Sequence, residues 1–140
     1  METWKLYALG SAFFAGLTAI FGKIGVVGIN SNFATFIRTV IILVVIGLMV
    51  TLKSEWQKLS TLNLHSVSFL CLSAVATGFS WLCYYKALQM GPASRVAPID
   101  KLSVAFAILL AVLFLGEKLS WQGMVGCALI VSGSVVLVLT

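Results

Sequence analysis

Residues 33–52 read FATFIRTVIILVVIGLMVTL, twenty residues with one ionisable side chain, Arg38. A helix rises about 1.5 Å per residue, so a run of this length crosses the roughly 30 Å hydrocarbon core of a bilayer. A helix on the surface of a soluble domain is apolar along one stripe, whereas this one is apolar all round. The pattern repeats on either side. Trp4–Gly22 carries only Lys5, and Val67–Tyr85 and Trp121–Leu139 carry no charge. A fifth run, Leu102–Gly116, has only 15 residues. It is too short to cross alone, so its helix is expected to start near Val96 and to carry Asp100 and Lys101 with it.

Composition agrees with this reading. Of 140 residues 61% are hydrophobic, with 9 Lys and Arg and 4 Asp and Glu, against about 45–50% apolar and 25% charged in an ordinary soluble domain. That balance excludes a soluble fold, and it excludes disorder, which needs low hydrophobicity and high charge. Strands of membrane barrels are about 9–11 residues of alternating polarity, whereas these runs are twice as long and uniformly apolar. The net charge of +5 comes from cations scattered between apolar runs, without the basic stripe of a nucleic-acid binder. The predicted fold is therefore all-α, a polytopic membrane protein forming a single domain over 1–140 with five transmembrane helices. Their approximate bounds are 4–24, 33–52, 67–89, 96–116 and 121–139. The opening Met1-Glu2-Thr3-Trp4-Lys5 lacks a basic leader region and no small-residue cleavage site follows, so the first helix is expected to persist in the mature protein.

The connections carry turn and cap chemistry. Gly28, Asn30 and Asn32 predict an antiparallel hairpin of the first two helices. In the polar stretch Lys53–Ser66, Ser54-Glu55-Trp56-Gln57 fits a capping box, and Trp56, Leu59 and Leu62 recur at helical spacing. Together they predict a short interfacial helix. Gly91-Pro92 stops the third helix and Ser94 is placed to cap the fourth. Gly116 ends the fourth, and Ser120 caps the fifth.

Catalytic and metal chemistry have no visible residues. Cys71 and Cys83 are separated by about 18 Å along one helix, beyond disulfide reach, and three cysteines without C-x-x-C spacing make no metal site. His65 stands alone in a linker, and no hydrolase elbow, phosphate loop or paired-carboxylate pattern occurs. No enzyme activity, cofactor or metal is expected.

Charge counting leaves the orientation open. The face holding the N-terminus, the 2–3 linker and the 4–5 turn has four cations, Lys5, Lys53, Lys58 and Lys118. The other has five, Lys23, Arg38, Lys86, Arg95 and Lys101. Lys and Arg normally gather on the cytoplasmic side. A near-even split is expected either of copies that insert both ways and pair antiparallel, or of one orientation fixed by segment length or a partner.

The stretch Ala93-Ser94-Arg95-Val96-Ala97-Pro98, the ending Leu113-Phe114-Leu115-Gly116-Glu117-Lys118-Leu119 and the pattern Gly126-x-x-Leu129-Ile130-x-x-Gly133 resemble an EamA-type domain of the drug/metabolite transporter superfamily. The resemblance covers essentially the whole chain. It implies one five-helix half of an inverted-repeat transporter, in which two halves of opposite topology surround a central substrate cavity. It thereby implies a homodimer or a closely related five-helix partner, in a bacterial-type inner membrane. Many relatives carry a proline deeper in the fourth helix; here it stands earlier, at Pro98.

The candidate site residues follow from the cost of charge in a bilayer, about 2.5–3.5 kcal/mol near its centre on insertion scales. Asp100 and Lys101 lie about 6–8 Å into their helix. Neighbours on a helix point about 100° apart, so each is expected to find a separate partner. For Asp100 that is Lys86, Arg95 or Lys23, and for Lys101 a substrate anion or a carbonyl. The alternative is a Lys101 that snorkels to the interface and an Asp100 at the positive helix start. On the third helix Thr77, Trp81, Tyr84 and Tyr85, and Leu88 form a stripe ending at Lys86. The aromatics either hold flat or cationic organic groups or form an interfacial belt, with Trp81 the deeper. Ser103 joins them as a substrate contact. Ser103, Ala107 and Ala111 recur every four residues, and Gly126 and Gly133 share a face, so Ala107, Ala111, Gly126 and Gly133 are expected to support close helix packing, within one chain or between two.

The sequence thus reads as a secondary transporter of a small organic solute working by alternating access. The alternative is a non-transporting membrane subunit that assists assembly or lipid handling. A four-helix antiporter with a membrane-buried glutamate in its first helix is disfavoured, since Trp4–Gly22 has none.

Overall fold

The computed structural model describes residues 3–139, and among these no strand occurs. Five stretches are helical, long and apolar enough to cross a bilayer. They are α1 (Thr3–Gly25), α2 (Ser31–Leu52), α3 (Leu64–Met90), the pair α4 (Ala93–Asp100) and α5 (Leu102–Leu115), which make one crossing, and α6 (Trp121–Leu139). The all-helical polytopic membrane fold is as expected, with α3 and α4 each starting three residues earlier than the apolar pattern suggests.

Cap chemistry sets most of the ends. The Asn30 side chain accepts from the Asn32 and Phe33 N–H groups at 2.9 and 3.3 Å, starting α2. Asn63 accepts from the His65 N–H at 3.0 Å and starts α3. Ser120 Oγ accepts from Gly123 N–H at 3.1 Å and starts α6, as its position predicts. Gly116 ends α5 in the left-handed region at φ +66°, and Glu117 N–H reaches back to the Ala111 carbonyl.

Two expected starts are corrected. Ser94 does not cap α4, because Pro92 takes the cap position and offers no side-chain bond. The Ser54 box starts no interfacial helix; it ends α2 instead. Ser54 has φ +54°, its N–H donates to the Thr51 carbonyl, and Glu55 N–H donates to the Val50 carbonyl. This paired return is the Schellman arrangement that satisfies a helix's last carbonyls. Trp56 Nε1 adds a bond to Thr51 Oγ1 at 3.1 Å, folding the linker back on the helix end. Only a 3-10 turn, Leu59–Thr61, remains of the expected helix.

The fourth crossing is interrupted. Pro98 has no N–H to give the Ser94 carbonyl, and one turn later the helix tightens at Lys101. The Lys101 N–H is shared between the Ala97 and Pro98 carbonyls at 3.2 and 3.1 Å, and Val104 N–H then bonds the Lys101 carbonyl three residues back.

The chain forms two compact units. One takes in the described residues up to Lys23 and from Met90 onward; the other is Ile24–Gln89. In the first unit α6 packs along both α4 and α5, with Val96 and Ser134 buried, and Lys23 Nζ donates to the Gly91 carbonyl at 2.8 Å. In the second, Val26, Ser31, Thr35, Tyr85 and Leu88 are buried. Gln89 Nε2 ties its α1–α2 connection by donating to the Ile29 carbonyl at 2.8 Å. Most other large apolar side chains are exposed. Water would not tolerate such a surface, but lipid does, being as apolar as leucine.

A left-handed serine is strained, since its Cβ approaches the following carbonyl at a cost of roughly 1–2 kcal/mol, which glycine does not incur. Ser54→Gly is expected to raise the thermal midpoint of the detergent-solubilised protein and Ser54→Val to lower it. Circular dichroism melts read both.

Candidate functional site

The α2–α3 unit holds the most chemically distinctive cluster. Arg38 lies seven residues into α2, about 10 Å along the helix, and it is half-buried. Its guanidinium carbon sits over the Trp81 ring, 4.2 Å from the centroid, and 5.1 Å from the Tyr85 centroid. Contacts of this kind contribute about 0.5–2 kcal/mol, rising as the cation is desolvated. They use the ring quadrupoles and leave the N–H donors unspent. Arg38 Nη1 is buried and has no hydrogen-bond partner among the described residues. Tyr84 meets Tyr85 edge to face at 6.1 Å, extending the cluster by one ring.

Trp81 also lines a cleft of about 520 Å³ between α2 and α3, with Thr35, Phe36, Thr39, Leu43 and Thr77 among its walls. The volume falls within the roughly 300–1,000 Å³ of small-molecule sites. Two of its three threonines have spent their protons, Thr35 on the Ser31 carbonyl and Thr39 on the Thr35 carbonyl, both at 2.8 Å. They offer acceptor lone pairs, and Asn32 adds an amide to the lining; Arg38 is not in the lining itself and meets the cleft through the Trp81 ring that it covers.

The other expected residues fall as follows. Lys86 is exposed on the outer side of the stripe, with Nζ 3.5 Å from Gln89 Oε1. Tyr85 is buried against Arg38, and the ring faces of Trp81 and Tyr85 are met by the protein's own cation. In the other unit, Asp100 and Lys101 pair with each other at 3.3 Å, which corrects the expectation of separate partners. The break at Lys101 disturbs the helical spacing, and the long lysine stem closes the remaining gap. The contact is half-exposed and long, so it contributes little on its own. Lys101 also borders a cleft of about 430 Å³ between α4 and α6, beside Pro98, Gly133 and Ser134. Arg95 is exposed in the first turn of α4, and Ser103 is exposed on α5. Ala107 and Ala111 line a third hollow of about 340 Å³ under the Glu117–Leu119 turn. At Gly126 and Gly133 an added Cβ would meet nothing within 4 Å, so no neighbour among the described residues presses on them.

Arg38 is the residue that the sequence reading passed over. The signal was present: the insertion cost that singled out Asp100 applies equally to Arg38, which lies as many residues into its own span. What the sequence did not show was that the stripe on α3 supplies its partner.

An all-helical chain with five helices long and apolar enough to cross a bilayer belongs to the class of polytopic membrane proteins. Residues 2–139 match the EamA-like transporter family, and the chain belongs to that family. It is similar to an uncharacterized transporter in the cobO 3' region of Sinorhizobium, 51% identical over 136 residues, which cover 97% of this chain and 96% of that protein. It is also similar to an uncharacterized protein of Methanocaldococcus jannaschii, 30% identical over 137 residues, covering 98% and 97%. No solved structure matches the chain.

The Arg38–Trp81 contact predicts energetic coupling. In a double-mutant cycle of Arg38→Met and Trp81→Leu, thermal or denaturant stability should show a coupling of about 0.5–2 kcal/mol. Trp81→Phe, which keeps a ring face, should lose less than Trp81→Leu.

Proposed function

We propose that the chain is a secondary transporter of a small organic solute, working by alternating access as an antiparallel homodimer in a bacterial inner membrane. The observation that carries this reading is the α2–α3 cleft. It is solute-sized, and it lies open along a single chain, with Phe36 and Leu43 in its walls 62% and 72% exposed. A second chain of opposite orientation would close it from the side and turn a lateral groove into a central cavity. The near-even division of Lys and Arg, four against five, supports insertion both ways. Gly126 and Gly133, where an added Cβ would meet no neighbour, and the small Ala107 and Ala111 would suit close contact with that second copy. Interruption of the fourth crossing at Pro98 and Lys101 supports movement there, because broken helices expose backbone groups to a cavity. The bacterial Sinorhizobium relative of nearly the same length supports both the compartment and a five-helix working unit.

The test is transport in proteoliposomes against a metabolite panel, with and without a pH gradient, followed by topology bias. Two or three lysines added to the 2–3 linker should force one orientation and abolish uptake when that variant is alone. Co-expression with an oppositely biased variant should restore it. Full activity of one biased variant alone contradicts antiparallel pairing, and no gradient-driven flux of any panel member contradicts transport.

A further inference from the structure

We infer that Arg38, with Trp81 and Tyr85, forms an anion subsite, and that the solute of this transporter is an organic carboxylate whose apolar body lies in the α2–α3 cleft. The inference rests on the transporter reading for its word solute, but the binding site itself stands on the geometry. A charged group within an apolar span is held by a counter-charge, by backbone carbonyls or in a polar cavity. Between residues 24 and 89 the only carboxylate is Glu55. It follows the C-terminal end of α2, seventeen residues beyond Arg38 and more than about 20 Å along the helix. The counter-charge within this unit is therefore not a side chain of its own.

Ring faces stabilise the cation without neutralising it. They also hold it in place without using its N–H donors, and Nη1 is buried with no acceptor among the described residues. A guanidinium presents five N–H donors in its plane, and a carboxylate can take two of them side by side. A phosphate oxygen offers the same chemistry, but the walls beside Trp81 favour a carboxylate on a compact apolar body. Phe36, Ile42, Leu43, Ala74 and Leu82 give the lining its apolar character, and the cleft is of small-solute size. A cationic solute would meet the guanidinium, so the cluster selects against the charge that bare aromatic rings would attract.

Three probes of one shape separate the possibilities: benzoate, benzamide and benzylammonium. Trp4, Trp56 and Trp121 are replaced by phenylalanine, leaving Trp81 as the only indole in the purified protein in nanodiscs, and its fluorescence is titrated with each. Benzoate should give a saturable change at least tenfold tighter than benzamide, with benzylammonium weaker still. Arg38→Gln should abolish the preference for benzoate, and Arg38→Lys should retain part of it, since the charge survives without the planar fork. Inorganic phosphate in place of benzoate tests the headgroup chemistry: competition weaker than benzoate is expected, and stronger competition overturns the carboxylate assignment. Equal binding of the three probes, no saturable benzoate binding, or benzoate binding unchanged in Arg38→Gln overturns the subsite. Because the readout is binding, a charge-selective site without flux in proteoliposomes would reject the transporter reading and leave the subsite standing.

Discussion

Five crossings leave this chain with more apolar helix surface than it can cover with itself. The exposed surface includes Phe14, Leu43 and Phe114, and the buried residues are few and concentrated in small groups within each unit. In a bilayer the hydrophobic effect gives helices little reason to associate. What holds such helices in register is hydrogen bonds, caps and charge. The Asn30, Asn63 and Ser120 caps, the Gln89 and Lys23 bonds to carbonyls of distant connections, and the Arg38 stack are interactions of this kind.

The same constraint gives the charged residues their meaning. Each one inside a span costs free energy, and the chain deals with them in two ways. Asp100 and Lys101 sit where Pro98 has weakened the helix, and they meet each other at a half-exposed break. Arg38 lies in an unbroken helix, held by rings and lacking a counter-charge in its own unit. The first arrangement neutralises itself; the second leaves binding capacity over, which is why the candidate site is placed on α2 and α3.

The crossings were legible in the sequence because length and hydropathy decide them almost alone. Gly116 and Ser120 were legible because their cap chemistry has no local competitor. Ser54 was misread for a physical reason: a serine followed by polar residues looks like a helix start, and only the backbone shows it closing the helix before it. Trp81 stands out in the sequence by its depth and spacing, and the structure places it in the wall of the α2–α3 cleft. Arg38 does not stand out, because its partner rings lie more than forty residues away in sequence and cation–π pairing has no local signature. The Asp100–Lys101 pair was excluded on ideal helical spacing, which the turn after Pro98 does not obey.

How the uncovered surface is completed decides the rest, and labelling measures it directly. With Cys71, Cys83 and Cys127 replaced by serine and one cysteine placed at Ser60 in the 2–3 linker, intact cells are treated with an impermeant maleimide before and after permeabilisation. The proposed antiparallel pair predicts that roughly half of the protein is labelled from outside and the remainder only after permeabilisation. Labelling of all or none of the protein in intact cells would contradict it.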